Sequence, residues 1–234
     1  MEFKKLSKVL LVSSLSVSLL MPMGSVFANE ETDNLDYSGF SQEQQKELKA
    51  DLKEKEKLKD KKIDKKELEK ELKELKQVNP EKYDAIMRSQ EISILTSGEM
   101  GTNGDILITY DNKTSGWRHG HAAIVQKNNN YIVEAWPKKG VRSYKNNWKN
   151  RFNSKKKMYV KGATSDNYTD AQKWAKKQIG DPYKMPTGKN NHLRFYCSSL
   201  VWQSWYHQGF DLDGNGGTVV TPADLEKDRS TIIY

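Results

Sequence analysis

Cys197 is the only cysteine among 234 residues, and it stands in the run Arg194-Phe195-Tyr196-Cys197-Ser198-Ser199-Leu200-Val201-Trp202-Gln203-Ser204-Trp205-Tyr206-His207-Gln208-Gly209. Leu200, Val201, Ser204, Trp205 and Gln208 recur at helical spacing, and Gly209 is the expected left-handed terminator. Cys197 therefore falls in the first turn of a buried helix. Unpaired N–H groups and the positive end of the helix dipole favour an anion there, so a thiolate is favoured over a thiol. A thiolate is a nucleophile, and the chemistry open to it is attack on an amide or ester carbonyl. The competing reading is an inert buried cysteine serving as a small apolar residue.

Such a nucleophile needs a base that orients it and later protonates the leaving group, a task that suits histidine. His207 lies ten residues beyond Cys197 on the same helix, nearly three turns away and out of reach. His192 sits in a polar loop and reads as solvent-facing. His119 and His121 flank Gly120 at the start of an apolar run. If Asn128-Asn129 makes a two-residue turn, Val125 pairs with Ile132, Ala123 with Glu134 and His121 with Trp136. That register puts His121 and Glu134 on one face as diagonal neighbours. A carboxylate in an apolar strand requires a partner, and His121 is the one available. A slip of one residue would send Glu134 to the opposite face.

Two metal readings are weaker. His119 and His121 alternate as a strand-borne pair of ligands would, yet no further His, Asp or Glu follows at ligand spacing. Asp211-Leu212-Asp213-Gly214-Asn215-Gly216 resembles half a calcium loop, but Pro222 occupies the place of the closing glutamate. A tight Asp/Asn/Gly turn is the better account. No metal and no cofactor is expected.

The elements that must position these residues follow from pattern. Gly104 to Tyr110 reads as a buried strand, His121 to Gln126 and Tyr131 to Trp136 as a hairpin, and Lys157 to Gly162 as another strand. Tyr168 to Ile179 is an amphipathic helix ended by Gly180, and Thr221-Pro222 opens a short last helix. The composition shifts at Gly98 from charged to aromatic and glycine-rich. Roughly 140 residues then remain, enough for a core without disulfides.

Six segments in one order carry a resemblance: Gly104-Asp105-Ile106, His121-Ala122-Ala123-Ile124-Val125, Val133-Glu134-Ala135, Asp181-Pro182-Tyr183, Tyr196-Cys197-Ser198-Ser199-Leu200-Val201-Trp202 and Thr221-Pro222-Ala223-Asp224. The order resembles the circularly permuted papain-fold cysteine hydrolases of bacteria, the YiiX/YaeF-type amidases, relatives of NlpC-type cell-wall peptidases. The resemblance runs from about residue 98 to the end. It implies an α+β fold, with an antiparallel sheet or partial barrel packed on a catalytic helix. It implies Cys197 as nucleophile, His121 as general base and Glu134 as the residue that orients it. Tyr183 resembles the tyrosine near the oxyanion in NlpC-type enzymes, and the Cys197 N–H would be a second oxyanion donor. Trp136 and Tyr196 are the expected substrate-binding neighbours. Ala123 stands where relatives often have glycine.

The N-terminal part is unlike the rest. Lys4, Lys5 and Lys8 precede an apolar run from Val9 to Leu20, and Val26-Phe27-Ala28 resembles a cleavage site, so residues 1–28 read as a secretory signal. The run is short and broken by serines, unlike the roughly 20 apolar residues of a membrane span. Residues 29–79 read as a charged helical arm or linker, opened by the capping box Ser41-Gln42-Glu43-Gln44 and too sparse in leucine for a heptad seam. Residues 80–97 form a connecting helix begun by Asn79-Pro80, with Tyr83, Ile86, Met87 and Ile94 to dock it, and residues 98–234 the hydrolase domain. A formal charge of +8 on an exported protein points to anionic partners such as the cell wall. No nucleic-acid motif accompanies the charge. The expected substrate is a peptide or amide, with peptidoglycan the wall candidate. The alternative is a papain-like module that binds wall or protein without cutting it. Oligomeric state is not legible.

Overall fold

The computed structural model describes residues 37–92, 99–111 and 117–234, with Ile92 described by its backbone alone. The expected signal (1–28), the docking of Ile94 and the centre of the loop before His119 lie outside the described residues.

An antiparallel sheet organises the rest. Its strands are β1 (Ile106–Thr109), β2 (His121–Val125), β3 (Tyr131–Trp136), β4 (Gly140–Lys145), β5 (Lys155–Val160) and β6 (Thr231–Ile233), in the order β4-β3-β2-β1-β5-β6. β1 and β2 are buried along their whole length, which is why they read as continuous apolar runs and not as alternating ones. The sheet is open, not a closed barrel. The sheet's inner face packs on α6 (Cys197–Tyr206), whose residues from Cys197 to Trp205 are all buried. α5 (Ser165–Lys177) lies behind α6, and Tyr168 meets Trp205 edge-on at 5.0 Å. α7 (Pro222–Lys227) is begun by Thr221, which accepts from the Asp224 N–H at 3.3 Å.

The hairpin that decides the site has the expected register, Val125 opposite Ile132 and Ile124 opposite Val133. Its turn differs from expectation. The chain reverses over Gln126 to Asn129, closed by Asn129 N–H to Gln126 carbonyl at 2.9 Å, and only Asn129 adopts positive φ, 61°. A two-residue turn of the expected kind would need both asparagines left-handed, whereas this longer loop needs one. Three elements were not foreseen: β4, β6 and the one-turn helix α4 (Trp148–Arg151). β6 has three residues and α4 four, too short for periodicity to register.

The helices read as a solvated arm are corrected by the packing. α1 (Gln42–Lys59) and α2 (Lys65–Val78) place Leu48, Leu58 and Leu75 in the same buried cluster as the inner face of the sheet, and α3 (Pro80–Ile92) docks there through Ile86, as its sequence led one to expect. The sparse leucines are too few for a helix-to-helix seam but sufficient as single anchors into an existing core. Polar ties reinforce them. Lys55 donates to the Arg118 carbonyl at 2.5 Å, and Lys82 is buried on Asp105 at 2.6 Å. Glu47 accepts from the N–H groups of Thr218 and Val219 at 3.1 and 3.0 Å. The described residues from 37 onward fall in one compact unit.

Candidate active site

Cys197 is the first residue of α6, and the chain reaches it extended, with Tyr196 at φ −109° and ψ 171°. The Tyr196 N–H donates to Ser199 Oγ at 3.0 Å, closing the helix start. Just upstream, Phe195 bridges Tyr183: Phe195 N–H donates to the Pro182 carbonyl at 3.1 Å and Lys184 N–H to the Phe195 carbonyl at 3.0 Å. That bridge carries Tyr183 to the sulfur.

His121 begins β2 behind Gly120, whose φ is +106° and whose missing Cβ would fall 2.2 Å from the Thr109 carbonyl oxygen. Only glycine fits so close to a neighbouring backbone in that conformation. The His121 Nε2 lies 2.7 Å from Glu134 Oε2. The ring also hydrogen-bonds Cys197, and with Nε2 occupied by Glu134 the nitrogen left for sulfur is Nδ1. One imidazole thus bridges thiol and carboxylate, and all three groups are buried.

Glu134 has more partners than the sequence reading supplied. Arg142 donates to Oε1 through Nε at 3.0 Å and Nη2 at 2.7 Å. Arg151 reaches Oε2 through Nη1 at 3.0 Å and Oε1 through Nη2 at 3.2 Å. Burial alone would raise the Glu134 pKa, but His121 and Arg151 outweigh it and hold the carboxyl at about 2. Burial likewise opposes charge on His121, yet its bonds to Cys197 and Glu134 push it up to about 9. For Cys197 burial favours the thiol, and the His121 bond, the His121 charge and the Ala122 N–H together bring it below the usual thiol range. These directions favour a thiolate–imidazolium pair backed by a carboxylate.

Aromatic rings enclose the imidazole. Trp136 meets it edge-on at 4.9 Å and Trp148 stacks at 5.6 Å. Arg151 lies over both indoles, at 4.8 and 5.7 Å. Trp136 is half-buried at the rim, in keeping with a cleft wall. Tyr183 is near enough for the Cys197 charge to add to the burial that raises its phenol. Tyr196 is placed differently. Its ring is fully buried and its hydroxyl accepts the Val220 N–H at 3.0 Å, so its side chain offers substrate no exposed surface.

The remaining histidines have other partners. His119 Nε2 lies 2.9 Å from the Leu48 carbonyl, His192 Nδ1 lies 3.0 Å from Gln203 Oε1, and His207 stacks on Trp174 at 4.7 Å. In the Asp211–Gly216 turn, Lys189 pairs with Asp213 and Trp202 Nε1 donates to Asp211 at 2.8 Å, so one acid already carries a protein cation and the other an indole donor.

Arg142, Arg151 and Trp148 were missed by sequence reasoning. Arg142 stands directly opposite Glu134 across β3 and β4, so recognising Gly140–Lys145 as a strand would have found it. Arg151 had no such signal, because α4 is too short to read.

A cysteine at a helix start, bonded through histidine to a glutamate that precedes it in the chain, defines a permuted papain-like arrangement. Residues 104–214 match the model of the family described as "Permuted papain-like amidase enzyme, YaeF/YiiX, C92 family", so that stretch is similar to it. Among relatives, the "Uncharacterized protein YycO" of Bacillus subtilis (strain 168) is 29% identical over 160 residues, 63% of this chain. The match spans 64% of that relative's length. Among solved structures, the metalloprotein yiiX of Escherichia coli O157:H7 is 17% identical with a TM-score of 0.44, over 57% of this chain and 96% of that one. The word metalloprotein belongs to that protein. Here both His121 nitrogens are engaged and the His119 Nε2 faces a carbonyl. No three His, Cys, Asp or Glu side chains are grouped to hold a metal among the described residues.

Proposed function

We propose that this protein is a secreted cysteine hydrolase that cleaves amide bonds through a thioester acyl-enzyme, with cell-wall peptide as its substrate. The match of residues 104–214 to the amidase family supports amide hydrolysis in general. The observation that carries the assignment of roles is the single His121 ring joined to Cys197 on one side and Glu134 on the other.

In this reading the Cys197 thiolate adds to the amide carbonyl carbon and the carbonyl π pair moves to oxygen. The Cys197 N–H, which has no carbonyl to bond within its own helix, and the Tyr183 hydroxyl stabilise that oxyanion. The imidazolium of His121 gives its proton to the departing amine as the C–N bond breaks, leaving a thioester. His121, now neutral, takes a proton from water, whose oxygen attacks the thioester and releases acid and thiolate. Glu134, fixed by two arginines, holds the ring orientation and stabilises its cation throughout. Trp136 forms the wall beside the ring.

The positive balance of the chain supports the wall as its setting. Incubation with a digest of wall peptides, followed by intact mass spectrometry, should reveal a covalent adduct on Cys197 that Cys197→Ala abolishes. Absence of any adduct or muropeptide turnover by the intact protein, with wall-peptide binding retained in Cys197→Ala, would end this reading and leave a binding module.

A further inference from the structure

On the outer face of the sheet, across α4 from the candidate active site, lies a groove of about 600 Å³ between α3, residues 99–103, the β2–β3 turn and β5. Among the described residues Arg88, Lys127, Lys149, Lys155 and Lys157 line it, with one carboxylate, Glu99. Lys155 and Lys157 alternate on β5, opposite Thr109 and Leu107, so both stand on one face with their Cα atoms about 7 Å apart.

Two of these ammonium groups are set as receptors would be. Lys155 donates to the carbonyls of Lys149 and Phe152, each at 2.7 Å, which fixes the head group and leaves one of its three N–H bonds over. The Lys157 ammonium rests on the Tyr234 ring at 3.9 Å, and among the described residues it makes no hydrogen bond or ion pair. The acid near it, Asp105, is already paired with Lys82 at 2.6 Å. A part-buried cation without a counter-ion is costly. Burial, with Lys149 and Lys82 adding to it, pushes Lys157 down to about 8 despite the opposing pull of Asp105. An anion in the groove would relieve that cost.

We propose that this groove binds a soluble oligophosphate, a chain carrying two or more phosphate groups, with Lys155 and Lys157 taking successive anionic groups and Lys127 and Arg88 closing the rim. Lysine is a point charge that accepts an anionic oxygen from any direction, and phosphate brings more charge and more acceptor oxygens per group than carboxylate. The two β5 lysines are recessed, so a flexible chain reaches them where a flat layer of lipid head groups does not. The proposal is independent of the hydrolase reading, because it is tested by binding alone.

Titration calorimetry of the full chain with sodium tripolyphosphate tests it. Saturable binding is expected, weaker at higher salt. Lys155→Gln with Lys157→Gln should weaken it about tenfold, and Arg88→Gln with Lys127→Gln about threefold. The rate of Cys197 alkylation should stay unchanged in both variants, showing that the fold is intact. If the β5 pair does not fold, the rim pair, at exposed positions, decides. Absence of binding, unchanged affinity in the folded variants, equally tight binding of citrate, or binding only to phosphatidylglycerol vesicles would each overturn the proposal.

Discussion

The chemistry of Cys197 is decided by opposed effects at single residues. Burial of the thiol, the imidazole and the carboxyl each favours the neutral form, yet all three are pushed toward the charged form, because each ion's partner is another member of the set. Two pH dependences separate as a result. Alkylation of Cys197 by iodoacetamide needs only thiolate, and should remain fast at and below neutral pH and show no fall on the alkaline side. Hydrolysis also needs the His121 proton, and should decline as pH rises through about 9. The two titrations belong to the pair, so a rate profile reports the dyad. Parallel alkaline declines in both assays would contradict this. The stability linkage has the same sign. His121 in the folded state lies above its ordinary 6.5, so its contribution is complete below about 6.5 and is lost as pH climbs through about 9. Glu134 is the mirror case: its contribution is present above the ordinary 4.5 and lost only as pH falls toward about 2. Glu134→Gln leaves Arg142 and Arg151 facing an amide. About 3 kcal/mol of stability should go, the low end for breaking a buried pair because both guanidinium groups keep some solvent contact. Urea unfolding measures the loss, and the same variant should lower the alkaline limit of any residual hydrolysis.

At the scale of elements, what the sequence made readable was whatever long-range order follows from short-range pattern. Cys197 at a helix start, the Val125–Ile132 register and the shared side of His121 and Glu134 all derive from spacing within about twenty residues. The second anchor of Glu134 did not, because α4 has four residues and Arg151 reaches the site from outside the hairpin. Nor did the docking of α1. Its composition is that of a solvated helix, and only a ready-made core gives Leu48 and Leu58 their value. α1 is in fact tied to both segments that flank the reacting pair. Its Leu48 carbonyl holds His119, two residues before His121. Its Glu47 holds Val219, beside the Val220 carbonyl that accepts from Ser198 Oγ at 2.8 Å. Leu48→Ala, at a position with no exposure, should therefore cost about 3 kcal/mol in urea unfolding, as large-to-small core changes do. It should also slow Cys197 alkylation. A loss under about 0.5 kcal/mol, the size of an ordinary surface change, would return α1 to the role of a solvated arm.

Across the whole molecule, the first described helix and the last one meet at a seam of carboxylates. Asp51 of α1, 5% exposed, shares the amide of Asn215 with Asp224 of α7: Asn215 Nδ2 donates to Asp51 Oδ1 at 3.1 Å and to Asp224 Oδ1 at 2.8 Å. Glu47 faces the same seam from α1, and Asp213 faces it from the loop, its own charge met by Lys189. The other Asp51 oxygen, Oδ2, is buried with no hydrogen-bond partner among the described residues. Burial first, then repulsion from Asp224 and Glu47, raises Asp51 to about 8, and burial raises Asp224 to about 6. A carboxyl raised on folding acts opposite to Glu134. The folded protein keeps a proton that the unfolded chain gives up near 3.8, so stability falls steadily as pH rises from about 4 to about 8. Above that range the seam holds an unpaired anion between the two ends of the fold. Asp51→Asn removes the titration while keeping an oxygen to accept from Asn215. The variant should raise the midpoint of thermal unfolding, and raise it more at about pH 9 than at about pH 5, because the proton that Asn cannot lose is the one the native seam loses in between. A gain that is the same at both pH values would mean that Asp51 is already ionised at pH 5. α1 would then be held to the domain by its leucines and its ties to residues 118, 119 and 219, with no titrating joint.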